Sequence, residues 1–204
     1  MSKNAPLLLK AGLFLVLLSF VILVGSEIRS IGNRAATRKL TEQIRSGFGE
    51  RTQGDPDGYS DLQMPVLQLE GEDFSGLIEI PAFGVSLPLG SSWDSHKLSR
   101  YPCRFWGSVY DSSLIIGGSG SKGQFDVCAS LDLGDRILIT DMTGVQFSYE
   151  VARIDRRKHA DMETFQEDQR DLILFARDGR SRSYMIVRCV IAPSQSIQGA
   201  CEPG

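Results

Sequence analysis

Histidine is almost missing from this sequence. His96 and His159 are the only two in 204 residues, and no Cys-x-x-Cys pair accompanies them, so the usual ligand set of a zinc site is lacking and no metal is expected. Nothing else in the chain points to a cofactor. No Lys/Arg-rich tract occurs either. The 22 Lys and Arg against 25 Asp and Glu leave a net charge of −3, which offers nucleic acid no electrostatic footprint. With four cysteines, Cys103, Cys128, Cys189 and Cys201 allow three pairings if the chain is exported, and their separations are not readable from spacing.

What the chain does have is ordinary globular composition and one long apolar run. Apolar residues at 42% and charged residues at 23% suit a single folded domain with a real core and an appendage. Residues 11–25 carry no charge, and Ala5 to Leu9, with Lys10 snorkelling, extend the run to about the 20 residues a spanning helix needs. The expectation is a membrane anchor over residues 1–26, with membrane contact through residues 5–25. A cleaved signal peptide is the alternative, since Val24-Gly25-Ser26 offers small residues to a peptidase. The positive charges after the run (Arg29, Arg34, Arg38, Lys39, Arg45) outnumber those before it (Lys3, Lys10 and the amino terminus), which on charge alone places the following domain inside.

Ile28, Ile31, Ala35, Leu40, Ile44 and Phe48 recur at three- and four-residue spacings, predicting an amphipathic stalk helix within residues 27–61. Gly54-Asp55-Pro56-Asp57-Gly58 then reads as a linker. A domain over residues 62–192 follows. Its candidate strands are Gly76 to Pro81, Gly84 to Leu89, Ser113 to Ile116, Asp135 to Thr140, Gln146 to Ile154, and the two runs flanking the turn at Asp178-Gly179. Short strands separated by turn signals predict a mostly β barrel or sandwich. Residues 155–170 read as a solvated charged face and residues 193–204 as a flexible tail.

Two motifs narrow this reading. Asp171-Leu172-Ile173-Leu174-Phe175-Ala176-Arg177 and Val187-Arg188-Cys189 resemble the D-L-T-L-F-T-C … R-x-x-V-R-C signature of class B-like sortases, membrane-anchored cysteine transpeptidases, and Arg182 matches as well. Gly76-Leu77-Ile78-Glu79-Ile80-Pro81 with Gly84-Val85-Ser86-Leu87-Pro88-Leu89 is similar to that family's opening motif. The resemblance implies a closed sortase-type β-barrel. It also implies a single-pass chain with its C-terminal domain outside the cell, against the charge count. Cys103 and Cys189 match positions where class B-like members carry cysteine.

The same alignment implies a degenerate site. The nucleophilic cysteine position holds Arg177, and a guanidinium cannot attack a carbonyl. The family's V-I-A-G-H-N motif is matched by Ile115-Ile116-Gly117-Gly118-Ser119-Gly120, so the histidine position holds Ser119, which does not titrate near neutrality. The third group, an arginine that steadies the oxyanion, matches Arg188. These features imply a catalytically degenerate member with an anion or peptide site of Arg177, Arg188 and Ser119, unless Asp178 or Asp126 bridges the two arginines and closes the site as a structural salt bridge. The expected partners are an envelope peptide or a protein, an intact sortase among them. An active peptidase with a rearranged site, using Cys128, and a structural subunit of an envelope assembly are the alternatives.

Overall fold

The computed structural model describes residues 14–17, 19, 36–47, 63–121, 123–178 and 183–192. Among the described residues there are nine strands: β1 (Leu67–Leu69), β2 (Glu72–Ile80), β3 (Val85–Gly90), β4 (Cys103–Trp106), β5 (Leu114–Gly118), β6 (Arg136–Asp141), β7 (Gln146–Arg157), β8 (Leu172–Arg177) and β9 (Tyr184–Ile191). Their order is β1-β2-β3-β4-β5-β8-β9-β7-β6, and β6 returns to pair with β2. Strands β2 to β9 therefore close an eight-stranded barrel, with β1 a hairpin partner outside it. Closure removes the free edges that an open sheet would expose.

The motif-bearing runs form the strands expected of them. Gly76 to Pro81 lies in β2 and ends where Pro81–Phe83 makes a 3-10 turn, with Gly84 left-handed at φ 60 before β3. β8 reads as nearly unbroken apolar residues because both of its faces are covered. Leu172, Leu174 and Ala176 point into the barrel with Leu114, Ile116, Ile139 and Val187, while Ile173 and Phe175 join an outer cluster with Ile115, Phe165 and Ile186. β5 and β8 run parallel, so their connection must cross over; β6, β7 and a short helix supply that crossover.

Two helices pack on the barrel's outside. Helix α1 (residues 36–47) buries Thr37, Leu40, Thr41 and Ile44 on one face. Leu40 and Ile44 meet Phe74, Leu77, Tyr101 and Met142, and burying each such side chain contributes about 1.5–3 kcal/mol. Arg45 fixes the far end, 2.6 Å from Glu79. Helix α2 (Met162–Gln166) starts at Asp161, whose side chain accepts from the Thr164 amide at 3.0 Å.

The segment 155–170 faces solvent over most of its length, as its charges suggested, but it is not all loop. Asp155–Arg157 extend β7, and α2 buries Thr164 and Phe165 against the outer cluster. Several of its charges also make ion pairs that tie the segment down. Strands β1 and β4 had no counterpart in the sequence reading.

Among the described residues no helix is long and apolar enough to cross a membrane. The apolar stretch expected to be the anchor lies outside the described residues apart from 14–17 and 19, as do most of the linker and the tail.

Candidate functional site

The parallel pairing of β5 with β8 places the two substituted motif positions side by side. Gly118 pairs with Ala176, so Ser119 and Arg177 leave the barrel at the same end of adjacent strands. Neighbouring strands lie about 4.8 Å apart. Ala176 turns into the core, and side chains alternate along a strand, so Arg177 turns outward. It is exposed and pairs across the ladder with Tyr184. Among the described residues it makes no ion pair. Ser119 is half-buried, and its Oγ lies 2.5 Å from Oγ of Ser121.

Neither aspartate proposed as a bridge pairs with Arg177 or Arg188. Oδ1 of Asp126 accepts from the amides of Gly123 and Gln124 at 2.9 and 3.2 Å, closing its own turn. Asp178 lies 3.7 Å from Arg156, and its amide donates to the Ser183 carbonyl.

Arg188 is not part of this rim. It pairs with Ile173, four ladder positions below the Arg177–Tyr184 pair, or roughly 13 Å along the strand. Its side chain is fully buried. Nε donates to Oδ2 of Asp155 at 3.3 Å, Nη2 to the Thr164 carbonyl at 2.8 Å, and Nη1 to the Phe165 and Asp168 carbonyls at 3.3 and 2.5 Å. These carbonyls belong to the end of α2 and the turn after it, which have no helical partners of their own. Asp155 and Asp168 are held in turn by Arg153, and Asp168 by Arg170. The expectation of a shared groove for Arg177 and Arg188 is corrected accordingly. Both face outward from the sheet, but α2 covers one of them and makes it a clamp for the β7–β8 connection.

Between the clamp and the rim lies an aromatic floor that the sequence reading did not single out. Trp93, from the β3–β4 connection, stacks on Phe175 with centroids 5.5 Å apart and planes at 29°. Phe105 meets Trp93 edge-on at 5.1 Å and Phe175 at 5.5 Å, and Phe165 closes the group from α2. The Trp93 ring fits because residue 117 is glycine. A Cβ there would stand 2.2 Å from Cζ3 of Trp93 and 2.6 Å from Cζ of Phe175. The usable signal was Gly117, which replaces the alanine of the motif quoted above. Nothing local to Trp93 identified its partner.

A small pocket of about 70 Å³ lies lower on the same face, between α2 and the starts of β5 and β8, floored by Ile115, Phe165 and Ile173. The other nucleophile candidates are enclosed. Cys103, Cys128 and Cys189 are free thiols and buried. Burial pushes Cys103 up to about 11 and Cys128 up to about 12, and raises Cys189 as well. Cys201 lies outside the described residues. His96 and His159 are exposed. Among the described residues no cluster of His, Cys, Asp or Glu is placed to hold a metal ion.

No protein-family model matches the sequence, and no curated protein does. Solved structures do match. Sortase A from Corynebacterium diphtheriae superposes with a TM-score of 0.55 at 15% identity, covering 80% of this chain and 97% of its own. Sortase C1 from Streptococcus agalactiae gives 0.53 at 18% identity, over 74% and 89%. Clostridium perfringens sortase C with the C-terminal cell wall sorting motif gives 0.52 at 16% identity, over 76% and 90%. The barrel of this chain thus has the sortase fold.

Proposed function

We propose that this chain is a membrane-anchored, non-catalytic sortase-fold domain that binds an anionic envelope ligand at the rim formed by Arg177 and Ser119. One observation carries the reading. The parallel register of β5 and β8 sets Ser119 and Arg177 at adjacent strand ends, where the alignment requires a histidine and a cysteine. The rim then presents an exposed guanidinium that makes no ion pair among the described residues, beside two serine hydroxyls. A guanidinium has five donors in a planar fork that suits a carboxylate or phosphate. The burial of Cys103, Cys128 and Cys189 argues against a relocated nucleophile, because a thiol held in its neutral form by burial is a poor one. In this reading the domain lies outside the cell, tethered through residues 5–25, and its partners are an envelope peptide, a wall-polymer anion or an intact sortase.

The test has two parts. Incubation of the full chain with a sorting-signal peptide, followed by mass spectrometry of the intact protein, is expected to show no covalent adduct; a thioester would defeat the non-catalytic reading. Binding of anionic envelope fragments is expected to weaken with salt and to be lost in Arg177→Ala. Anion binding that survives this substitution would move the site elsewhere.

A further inference from the structure

We infer that the rim is a sugar site: Trp93 is the stacking platform and Arg177 the anion partner for a carboxylate-bearing pyranose ring. The inference rests on the anion-binding reading above and gives that anion a chemical class.

The platform comes first. Trp93 is held on one side by Phe175 and along an edge by Phe105, yet it remains 39% exposed. A ring packed on one face and open on the other is already ordered before a ligand arrives, so binding need not immobilise it. The open face carries the negative side of the ring quadrupole. The axial C–H bonds on one face of a pyranose carry partial positive charge and match that surface without any charged group.

The charge lies beside the platform. Phe175 and Arg177 are alternate residues on the outward face of β8, roughly 6.6 Å apart along the strand. A sugar ring seated on Trp93, which covers Phe175, therefore places a ring substituent within reach of the flexible Arg177 side chain. Ser119 and Ser121 add two hydroxyls at the same strand end, and hydroxyls both donate to and accept from sugar oxygens.

The backbone closes one way of holding a peptide here. β5 and β8 are paired with each other from Leu114 and Leu172 to Gly118 and Ala176, and their other edges are paired with β4 and β9. No edge is left for a strand to join, so main-chain addition is closed. A ligand at this place is read by side chains, and those present offer a ring face, hydroxyls and a charge, the set that suits an acidic sugar.

The test uses the full chain carrying Trp106→Phe, which leaves Trp93 as the sole tryptophan of two. Trigalacturonate and its methyl ester share the same pyranose faces but differ in the charge and methylation of the carboxyl groups; they serve as the probes, with Trp93 emission as the readout. The acid is expected to give a saturable change and to bind at least tenfold more tightly than the ester. Arg177→Gln should erase that preference. Trp93→Leu, which keeps apolar bulk but removes the ring, should weaken acid binding at least tenfold by calorimetry, with unfolding temperature checked in parallel. Equal binding of acid and ester, or acid binding unchanged in Trp93→Leu, would overturn the sugar site. A peptide with a free C-terminal carboxylate that binds through Arg177 but is indifferent to Trp93→Leu would overturn it while leaving the anion rim standing. If no anion binds in an Arg177-dependent way, both readings fall.

Discussion

Nη2 of Arg188 donates to the backbone oxygen of Thr164 at 2.8 Å, and through this bond a strand of the barrel holds the end of a helix from another part of the chain. The same guanidinium also satisfies the carbonyls of Phe165 and Asp168 and pairs with Asp155. Four acceptors depend on one buried side chain. Its removal leaves three carbonyls and the partly buried Asp155 carboxylate in a space that water reaches poorly.

Arg188→Ala is therefore expected to destabilise the domain by about 3–5 kcal/mol, the range for breaking a buried ion pair from one side. Arg188→Lys should recover only part of this, since an ammonium lacks the planar fork. Arg177→Ala, at an exposed position, should change stability by no more than about 0.5 kcal/mol. Denaturant melts of the three variants check the contrast. Equal losses at 177 and 188 would contradict the division of the two arginines into clamp and rim.

Glu72 sets an acid limit on the connection that carries Trp93. Its carboxylate pairs with Lys97 and, at 3.2 Å, with Arg100. The hydrogen bond from Lys97 is the main reason that its carboxyl is held below the ordinary value. A group whose folded-state pKa is lowered contributes stability above its unfolded pKa, near 4.3 for Glu, and loses it as pH falls through the folded value. The wild-type unfolding midpoint should therefore drop in acid below about pH 4.3. Glu72→Gln should be less stable at neutrality and show a shallower drop there. Parallel slopes in the two proteins would remove Glu72 from this role.

Much of the barrel was legible in the sequence because its strands are short, apolar and bounded by turn residues. The segment Asp171 to Arg177 and its return strand could be read directly, whereas the motifs alone set 119 and 177 on opposite sides of a groove and only the parallel register of β5 and β8 makes them neighbours. What escaped was set by long-range packing. Arg188 has the spacing of a site arginine, and only the folded position of α2, whose carbonyls it satisfies, makes it a clamp. The ion pairs within the charged run from Asp155 to Arg170 escaped because sequence shows charges but not their partners. β4 escaped because Cys103–Trp106 is four residues long and its ladder with β5 carries an irregularity between Arg104 and Trp106. Trp93 sits between unremarkable polar neighbours, and its partner Gly117 is 24 positions away in sequence.

That pairing predicts a coupled response. In Gly117→Ala the new methyl would stand 2.2 Å from the Trp93 ring, so the ring must move off Phe175. The cost should be about 1–3 kcal/mol, as for overpacking, with Trp93 emission shifting to longer wavelength in a Trp106→Phe background. Trp93→Ala vacates the same space. The double variant should therefore lose less than the sum of the single variants, by about 0.5–3 kcal/mol of interaction energy. Strict additivity would mean that Trp93 does not rest on residue 117.

The rim geometry makes a final prediction about restoring chemistry. Arg177→Cys with Ser119→His would set a thiol and an imidazole on adjacent parallel strand ends, which the Gly118–Ala176 pairing brings together. Arg188 cannot complete such a site, because it is buried four ladder positions away and already engaged. The residue opposite Arg177 is Tyr184, on the same outward face. A sortase-type oxyanion partner would therefore have to be introduced at 184. The double variant is expected to form only traces of thioester with a sorting-signal peptide. Adding Tyr184→Arg should raise the rate by about 100-fold, the lower end of what one oxyanion donor contributes. Arg177→Cys alone should stay near background, since such groups act as a unit. The readout is the intact mass of the acyl-protein over time. A double variant as fast as the triple would show that position 184 does not face the reacting carbonyl. A single cysteine variant as fast as either would mean that Ser119 does not stand where the acid is needed.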